Sequence, residues 1–168
     1  TIAVRRAKHK TRYSPKSEKN EQTIYEKGER SMSINCAAVD RLIDSMSFTQ
    51  KVGQLNQRLL GWKSVERNAA GRLVASDALK QEIDRWGGLG PLYGLLRADP
   101  WSGQHWGNGI RPEERTEAIA VVQQTVLERG AHGIGVLLSE EAPHGHQALG
   151  GTVLPTNLGL GATFDPQG

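Results

Sequence analysis

Val136-Leu-Leu-Ser-Glu-Glu-Ala-Pro-His-Gly-His146 is the stretch that decides the fold. An apolar run stops abruptly at paired carboxylates, Glu140 and Glu141, and two histidines, His144 and His146. A strand that delivers polar groups at its C-terminal end is how parallel α/β folds build sites. Working upstream, Ile134-Gly-Val-Leu-Leu138 is the strand itself, and the segment before it has the marks of a helix. Pro112 suits the first helical position, where its missing donor is harmless, and Glu113 and Glu114 suit the positive end of the helix dipole. Ile119, Val122 and Val126 fall on one face, and Gly130 is a stop signal. Further upstream, Gly87-Gly-Leu-Gly-Pro-Leu-Tyr-Gly94 reads as a short buried strand that ends in a loop. Strand, loop, helix, strand is a βαβ unit, right-handed by default.

The segments outside this unit are read from periodicity and punctuation. Val39, Leu42, Ile43 and Met46 mark one face of a helix. Ser47-Phe-Thr-Gln50 reads as a capping box, and Phe48, Val52 and Leu55 continue a stripe on a second short helix. Residues 61–75 are glycine-punctuated and suit a loop or hairpin. Leu79, Ile83 and Trp86 give a third helical stripe, capped by Ser76 or Asp77. Residues 95–111 lack periodicity and hold Trp101, His105 and Trp106, as a long loop over the C-terminal face of a barrel would. Val153-Leu154 and the stretch Gly159 to Thr163 read as the start of a third unit. No repeat of fixed period is present.

With 168 residues the chain can make one domain, but it is shorter than the roughly 250 residues of a whole (β/α)₈ barrel. Cys36 is the single cysteine, so no internal disulfide forms. No apolar run approaches the roughly 18 residues of a membrane span. The net charge of +3 is unevenly spread: residues 1–31 carry nine Lys/Arg against four Asp/Glu, and the remainder is mildly acidic. The basic segment 1–31 reads as a solvated, disordered tail, with Met32 as the expected natural start. Nucleic-acid binding is therefore not expected, nor is membrane association. The tail lacks the apolar core of a secretory signal, and the compartment stays open between bacterial periplasm and cytoplasm.

Three motifs together carry a resemblance: Ser47-Phe-Thr-Gln-Lys-Val-Gly-Gln-Leu55, Glu141-Ala-Pro-His-Gly145, and Gly151 to Pro166 with its Ala162-Thr-Phe-Asp-Pro166 end. They resemble the N-terminal part of glycoside hydrolase family 3, the β-glucosidase and β-xylosidase family. Gln50 stands where the family usually has an acidic residue. The resemblance implies an α/β fold, an incomplete (β/α)₈ TIM-barrel fragment over residues 32–168, made of N-terminal helices plus the first two to three βα units. It implies hydrolysis of terminal β-D-glucosidic bonds by double displacement in a parent enzyme, with this chain a truncated part, inactive alone. The alternatives are a β-xylosidase of the same family and a non-catalytic truncated or binding protein.

The resemblance also assigns roles. Glu141 would grip the sugar in the −1 subsite. A carboxylate can accept from two vicinal hydroxyls at once, and such charge-assisted bonds are roughly twice as strong as neutral ones. His144 and Gly145 would shape the loop that orients Glu141. Trp101 and Trp106 are candidates to stack on sugar rings at the rim, and Tyr93 suits the core as well as a ring face. No catalytic residue is expected within the chain, because the family's aspartate nucleophile follows a later strand and its proton donor lies further on. Ser76-Asp77-Ala78 lacks the aromatic that should follow such a nucleophile. The expected partners are β-linked glucosides or short oligosaccharides, and the C-terminal remainder of the parent enzyme.

Cofactor and metal are both expected to be absent. Glu141 and His144 have the E-x-x-H spacing of di-iron helices, but Pro143 between them argues against a helix. Gly88-x-Gly90 fails as a dinucleotide fingerprint, because Tyr93 takes the third glycine's place.

Overall fold

A computed structural model describes residues 36–165 and 167. Contacts divide the chain into two units, Thr1–Ala37 and Ala38–Gly168, and apart from Cys36 and Ala37 the residues described below belong to the second. The tail 1–31 and the expected start at Met32 lie outside the described residues.

The described fold is mixed α/β. Helix α1 (Cys36–Ser45) is followed by α2 (Phe48–Leu55), whose start is the expected capping box. Ser47 Oγ accepts from Gln50 N–H at 3.2 Å, and Gln50 Oε1 accepts from Ser47 N–H at 2.8 Å. The spacing that predicts these helices does not predict their burial. Phe48 and Leu55 are exposed, because among the described residues nothing covers their stripe. A one-turn 3₁₀ helix, Gly61–Lys63, leads into a hairpin of β1 (Val65–Arg67) and β2 (Leu73–Ala75). The two strands pair antiparallel, with Val65 opposite Ala75.

Helix α3 (Asp77–Trp86) begins at Ser76, whose Oγ accepts from Leu79 N–H and donates to Lys63 carbonyl. Strand β3 (Pro91–Tyr93) follows, then the long loop, then α4 (Arg115–Arg129) and β4 (Leu137–Ser139). β3 and β4 pair parallel, in register Pro91 to Leu137 and Tyr93 to Ser139. The expected βαβ crossover is therefore present. On the other edge of β3, Leu60 forms an isolated parallel bridge with Tyr93. β3 thus lies centrally, while Leu137 on β4 is 70% exposed.

The core gathers between these elements. Leu79 and Ile83 from α3, Leu89, Leu92 and Leu95 around β3, and Val122 and Val126 from α4 are all fully buried. Full burial of one such side chain contributes roughly 1.5–3 kcal/mol. The stripe on α4 is Ala118, Val122 and Val126, with Ile119 half-buried at its border.

Four details differ from the sequence reading. The strand read at residues 134–138 forms at Leu137–Ser139. Pro112–Glu114 forms a 3₁₀ turn and α4 proper starts at Arg115, because the Glu114 carboxylate folds back onto Arg111 N–H at 2.9 Å and holds that turn tight. Gly130 ends α4 without a left-handed residue, at φ −72°; a Cβ there would stand 2.6 Å from Val126 carbonyl. The third unit does not form a strand. Residues 157–161 instead make a short helix, α5 (Asn157–Gly161), capped by Thr156 Oγ1 on Gly159 N–H. A strand needs a partner for its backbone groups, and none of the described residues supplies one. The helix satisfies them locally, with Leu158 and Phe164 left exposed.

Candidate functional site

β4 ends at Ser139, and Glu140 and Glu141 follow it directly. The parallel register sets Ser139 beside Tyr93, so the polar group leaving β4 meets the chain leaving β3. Two bonds fasten this junction: Gly94 N–H donates to Ser139 carbonyl at 2.9 Å, and Leu96 N–H donates to Glu140 Oε1 at 3.0 Å. Glu140, the carboxylate to which the sequence gives no role, thus locks the two loops together. Glu141 is left to point at Arg97.

Arg97 is the group that sequence reasoning missed. Its side chain is only 9% exposed. The guanidinium pairs with Asp99 Oδ2 at 2.7 Å and with Glu141 Oε2 at 3.1 Å, and it also donates to the Tyr93 hydroxyl. Three rings surround it, with centroids 4.6 Å (Trp101), 5.6 Å (Tyr93) and 6.0 Å (Trp62) from its central carbon. Cation–π attraction of this kind is worth about 2 kcal/mol or more where water is excluded. The one available signal in the sequence was a lone arginine between Leu95-Leu96 and Asp99.

The charges divide the work. Burial opposes the charged form of Arg97, but Asp99 and Glu141 more than offset it and raise its pKa. Burial likewise pushes Asp99 upward, yet bonds from Arg97 and Ser102 bring it net below the usual carboxylate range. Tyr93 is held high, first by burial and then by Glu141, so its hydroxyl keeps its proton. Hydrogen bonding by Tyr93 and then Arg97 lowers the Glu141 pKa. Asp99, at 12% side-chain exposure, is the inner partner of Arg97, whereas Glu141 is 56% exposed. Arg97 and Asp99 neutralise one another, and the net negative charge faces solvent through Glu141. A carboxylate has about four acceptor positions, so an ionised Glu141 retains capacity for further donors.

The remaining predicted residues fall in two groups. His144 and Gly145 belong to the loop that leaves Glu141. His144 carbonyl accepts from Leu154 N–H at 2.7 Å, and its ring lies 3.1 Å from Gln147 Nε2. Gly145 has φ +92°, and a Cβ there would collide with Thr152 carbonyl, so only glycine permits this close crossing. His146 Nε2 is buried without a hydrogen-bond partner, 3.7 Å from Glu140 Oε2. Trp101 is brought to Glu141 through Arg97. Trp106 is not: it lines a different cavity, of about 330 Å³, with Arg67, Gly107, Gly109, Arg111 and Glu114.

Among the described residues no group of three or more His, Cys, Asp or Glu side chains could hold a metal ion. No described helix is long and apolar enough to cross a membrane. Comparison with models of known protein families finds no match to this chain, and comparison with curated proteins finds none either.

Proposed function

We propose that the unit around β3, α4 and β4 is an early βα portion of a (β/α)₈ barrel of the family 3 glycoside hydrolase type, and that Glu141 holds the −1 sugar of a β-D-glucoside. The observation that carries this reading is the position of Glu141. A parallel crossover delivers an ionised, half-exposed carboxylate two residues past the end of β4, at the edge where parallel folds collect their ligands. Arg97 and Tyr93 hold the carboxylate from behind, so one rotamer is selected before any ligand arrives. Preorganisation of that kind removes an ordering cost from binding. Two hydroxyls of one pyranose would then donate to the remaining acceptor positions. In the parent enzyme that grip fixes the ring relative to the nucleophile, and positioning lowers the barrier. The nucleophile and the proton donor would come from a later part of the barrel, and the reaction would be retaining hydrolysis of terminal β-glucosidic bonds.

The test is glucose binding to the 168-residue chain, followed by saturation-transfer NMR. Wild-type chain should bind, and Glu141→Gln should weaken binding by about tenfold or more, since charge-assisted bonds are about twice as strong as neutral ones. No hydrolysis of an aryl β-glucoside is expected. Glucose binding that survives Glu141→Gln unchanged would refute the assignment.

A further inference from the structure

A groove of about 480 Å³ opens between α3 and the segment that leads into the Gly61–Lys63 turn, a volume within the roughly 300–1,000 Å³ of small-molecule sites. Helical spacing sets Gln81, Glu82 and Arg85 on one wall, and Arg58 and Lys63 stand on the other. The two walls are pinned together at both ends. Asn56 Nδ2 donates to Glu82 Oε1 at 2.9 Å, while Asn56 Oδ1 accepts from Arg58 N–H at 3.1 Å. At the far end, Lys63 carbonyl accepts from Ser76 Oγ at 2.6 Å, and Ser64 carbonyl accepts from Ser76 N–H at 3.0 Å. The groove therefore exists before any ligand arrives, which lowers the ordering cost of binding.

Its charge is unbalanced. Arg58, Lys63 and Arg85 are exposed cations, and among the described residues none of the three forms an ion pair. Arg67, Arg97 and Arg129, by contrast, all face carboxylates. Glu82, three residues before Arg85 on the helix, is the carboxylate placed to neutralise it. Its Oε1 is instead engaged by Asn56 Nδ2 and by the indole N–H of Trp86, each at 2.9 Å. Three cations against one carboxylate leave the groove with a charge of +2.

We infer that this groove binds a small phosphate monoester. Such a group carries a charge of about −1.5 to −2 near neutral pH and three acceptor oxygens, which matches both the charge and the number of the cations. Arginine meets phosphate oxygens with a planar fork, and lysine adds a point charge. A single carboxylate would leave the groove cationic. Leu59 and Leu60, both half-buried, also line the groove and provide an apolar surface for the organic part of the ester. Gln81 offers a neutral donor and acceptor to its polar groups. The groove shares no residue with the Arg97 and Glu141 cluster, so the inference stands apart from the sugar reading.

Titration of the full chain with phenyl phosphate, followed by amide chemical shifts and calorimetry, tests this. Inorganic phosphate and benzyl alcohol serve as the anion alone and the ring alone. Phenyl phosphate should shift residues 58–63 and 78–85, should bind about threefold or more tighter than inorganic phosphate, and benzyl alcohol should not bind. Arg58→Gln and Arg85→Gln should each weaken phenyl phosphate by about fivefold, the scale of one charge-assisted hydrogen bond partly open to water. Arg72→Gln removes an exposed charge on the hairpin, outside the groove, and should leave the affinity within about twofold. These three arginines carry no ion pair among the described residues, so each variant should melt with the wild type, which separates a lost site from a lost fold. No binding of phenyl phosphate, or a loss in Arg72→Gln equal to that in the groove variants, overturns the site. Equal affinities for phenyl phosphate and inorganic phosphate overturn its assignment to an ester.

Discussion

Replacing Glu114 with Gln should uncouple the hairpin from the helix behind it, with a pH signature of its own. Arg67 on β1 grips Glu114 in a fork, Nη1 to Oε1 and Nη2 to Oε2 both at 2.8 Å. The same carboxylate accepts from Arg111 N–H at 2.9 Å, and Arg67 Nη2 reaches on to Gly109 carbonyl at 3.2 Å. The Arg67 bond first, then the Arg111 N–H, lower the Glu114 pKa from 4.5 to about 2. Each tenfold weakening of proton affinity corresponds to about 1.4 kcal/mol. The Glu114 side chain is 23% exposed and its partner 33%, so solvent screening brings the stabilisation down to roughly 1–2 kcal/mol. A carboxylate whose folded pKa is depressed stabilises above its unfolded pKa and loses that contribution as pH falls through the folded value. The stabilisation is therefore full above about pH 5 and declines toward about pH 2. Urea unfolding followed by circular dichroism, at a series of pH values, measures the difference between wild type and Glu114→Gln. Asp99 and Glu141 titrate in both proteins and cancel. The difference should be roughly 1–2 kcal/mol at pH 7 and should close as pH falls. A gap under a few tenths of a kcal/mol at pH 7, or one that does not vary with pH, would refute the coupling.

Two further perturbations probe the core and the site loop. Ile83→Ala removes a fully buried side chain between α3 and the rest of the core, and should cost about 2–5 kcal/mol in the same urea experiment; a loss below about 1 kcal/mol would mean that this cluster is loosely packed. Gly145→Ala forces a Cβ toward Thr152 carbonyl at a left-handed φ, and should destabilise by roughly 1–3 kcal/mol. It should also weaken glucose binding, because the shifted loop carries Glu141. Unchanged stability and affinity would show that the loop yields without effect on the site.

The parts of the fold that were legible in the sequence are those fixed by local chemistry. Ser47 and Gln50, at the N-cap and N3 positions, bond each other's backbone whatever surrounds them, and the capping box forms as read. Leu79 and Ile83 at helical spacing both end up fully buried, since α3 has a core to face. Pairing of β3 with β4 was legible too, because a helix of the length of α4 between two short apolar runs brings strands together parallel. Burial of α1 and α2 was not, because a stripe reports the shape of a helix and says nothing about whether a partner covers it. Residues 159–163, read only as part of the start of a third unit, could not be given an element for a related reason: apolar character suits strand or helix alike, and the choice falls to whichever satisfies the backbone. Trp101 and Trp106 share one aperiodic loop, so no spacing rule could send one toward Arg97 and the other toward Arg67.

Arg97 was the least legible residue and the most consequential for the site. Long-range contacts alone decide that a loop arginine is buried. The elements that enclose it, the Gly61–Lys63 turn, the end of β3, the Trp101 turn and the segment after β4, come from widely separated parts of the chain. Burying a cation costs several kcal/mol unless it is paired. With Glu141 as the only partner, any ligand drawing that carboxylate outward would leave the cation bare, and the cost would count against binding. Asp99 removes this penalty. It bonds Arg97 Nε and Nη2 at 2.8 and 2.7 Å, through nitrogens that Glu141 does not use. Of the Arg97 nitrogens Glu141 meets Nη1 alone, at 3.1 Å, the longer of the two ion pairs. The site therefore has an inner pair that maintains structure and an outer carboxylate that can exchange part of its bonding for new donors at small cost. An exposed loop glutamate without that arrangement would be mobile, and a glutamate locked into the only ion pair would be unavailable; the Arg97–Asp99 pair avoids both.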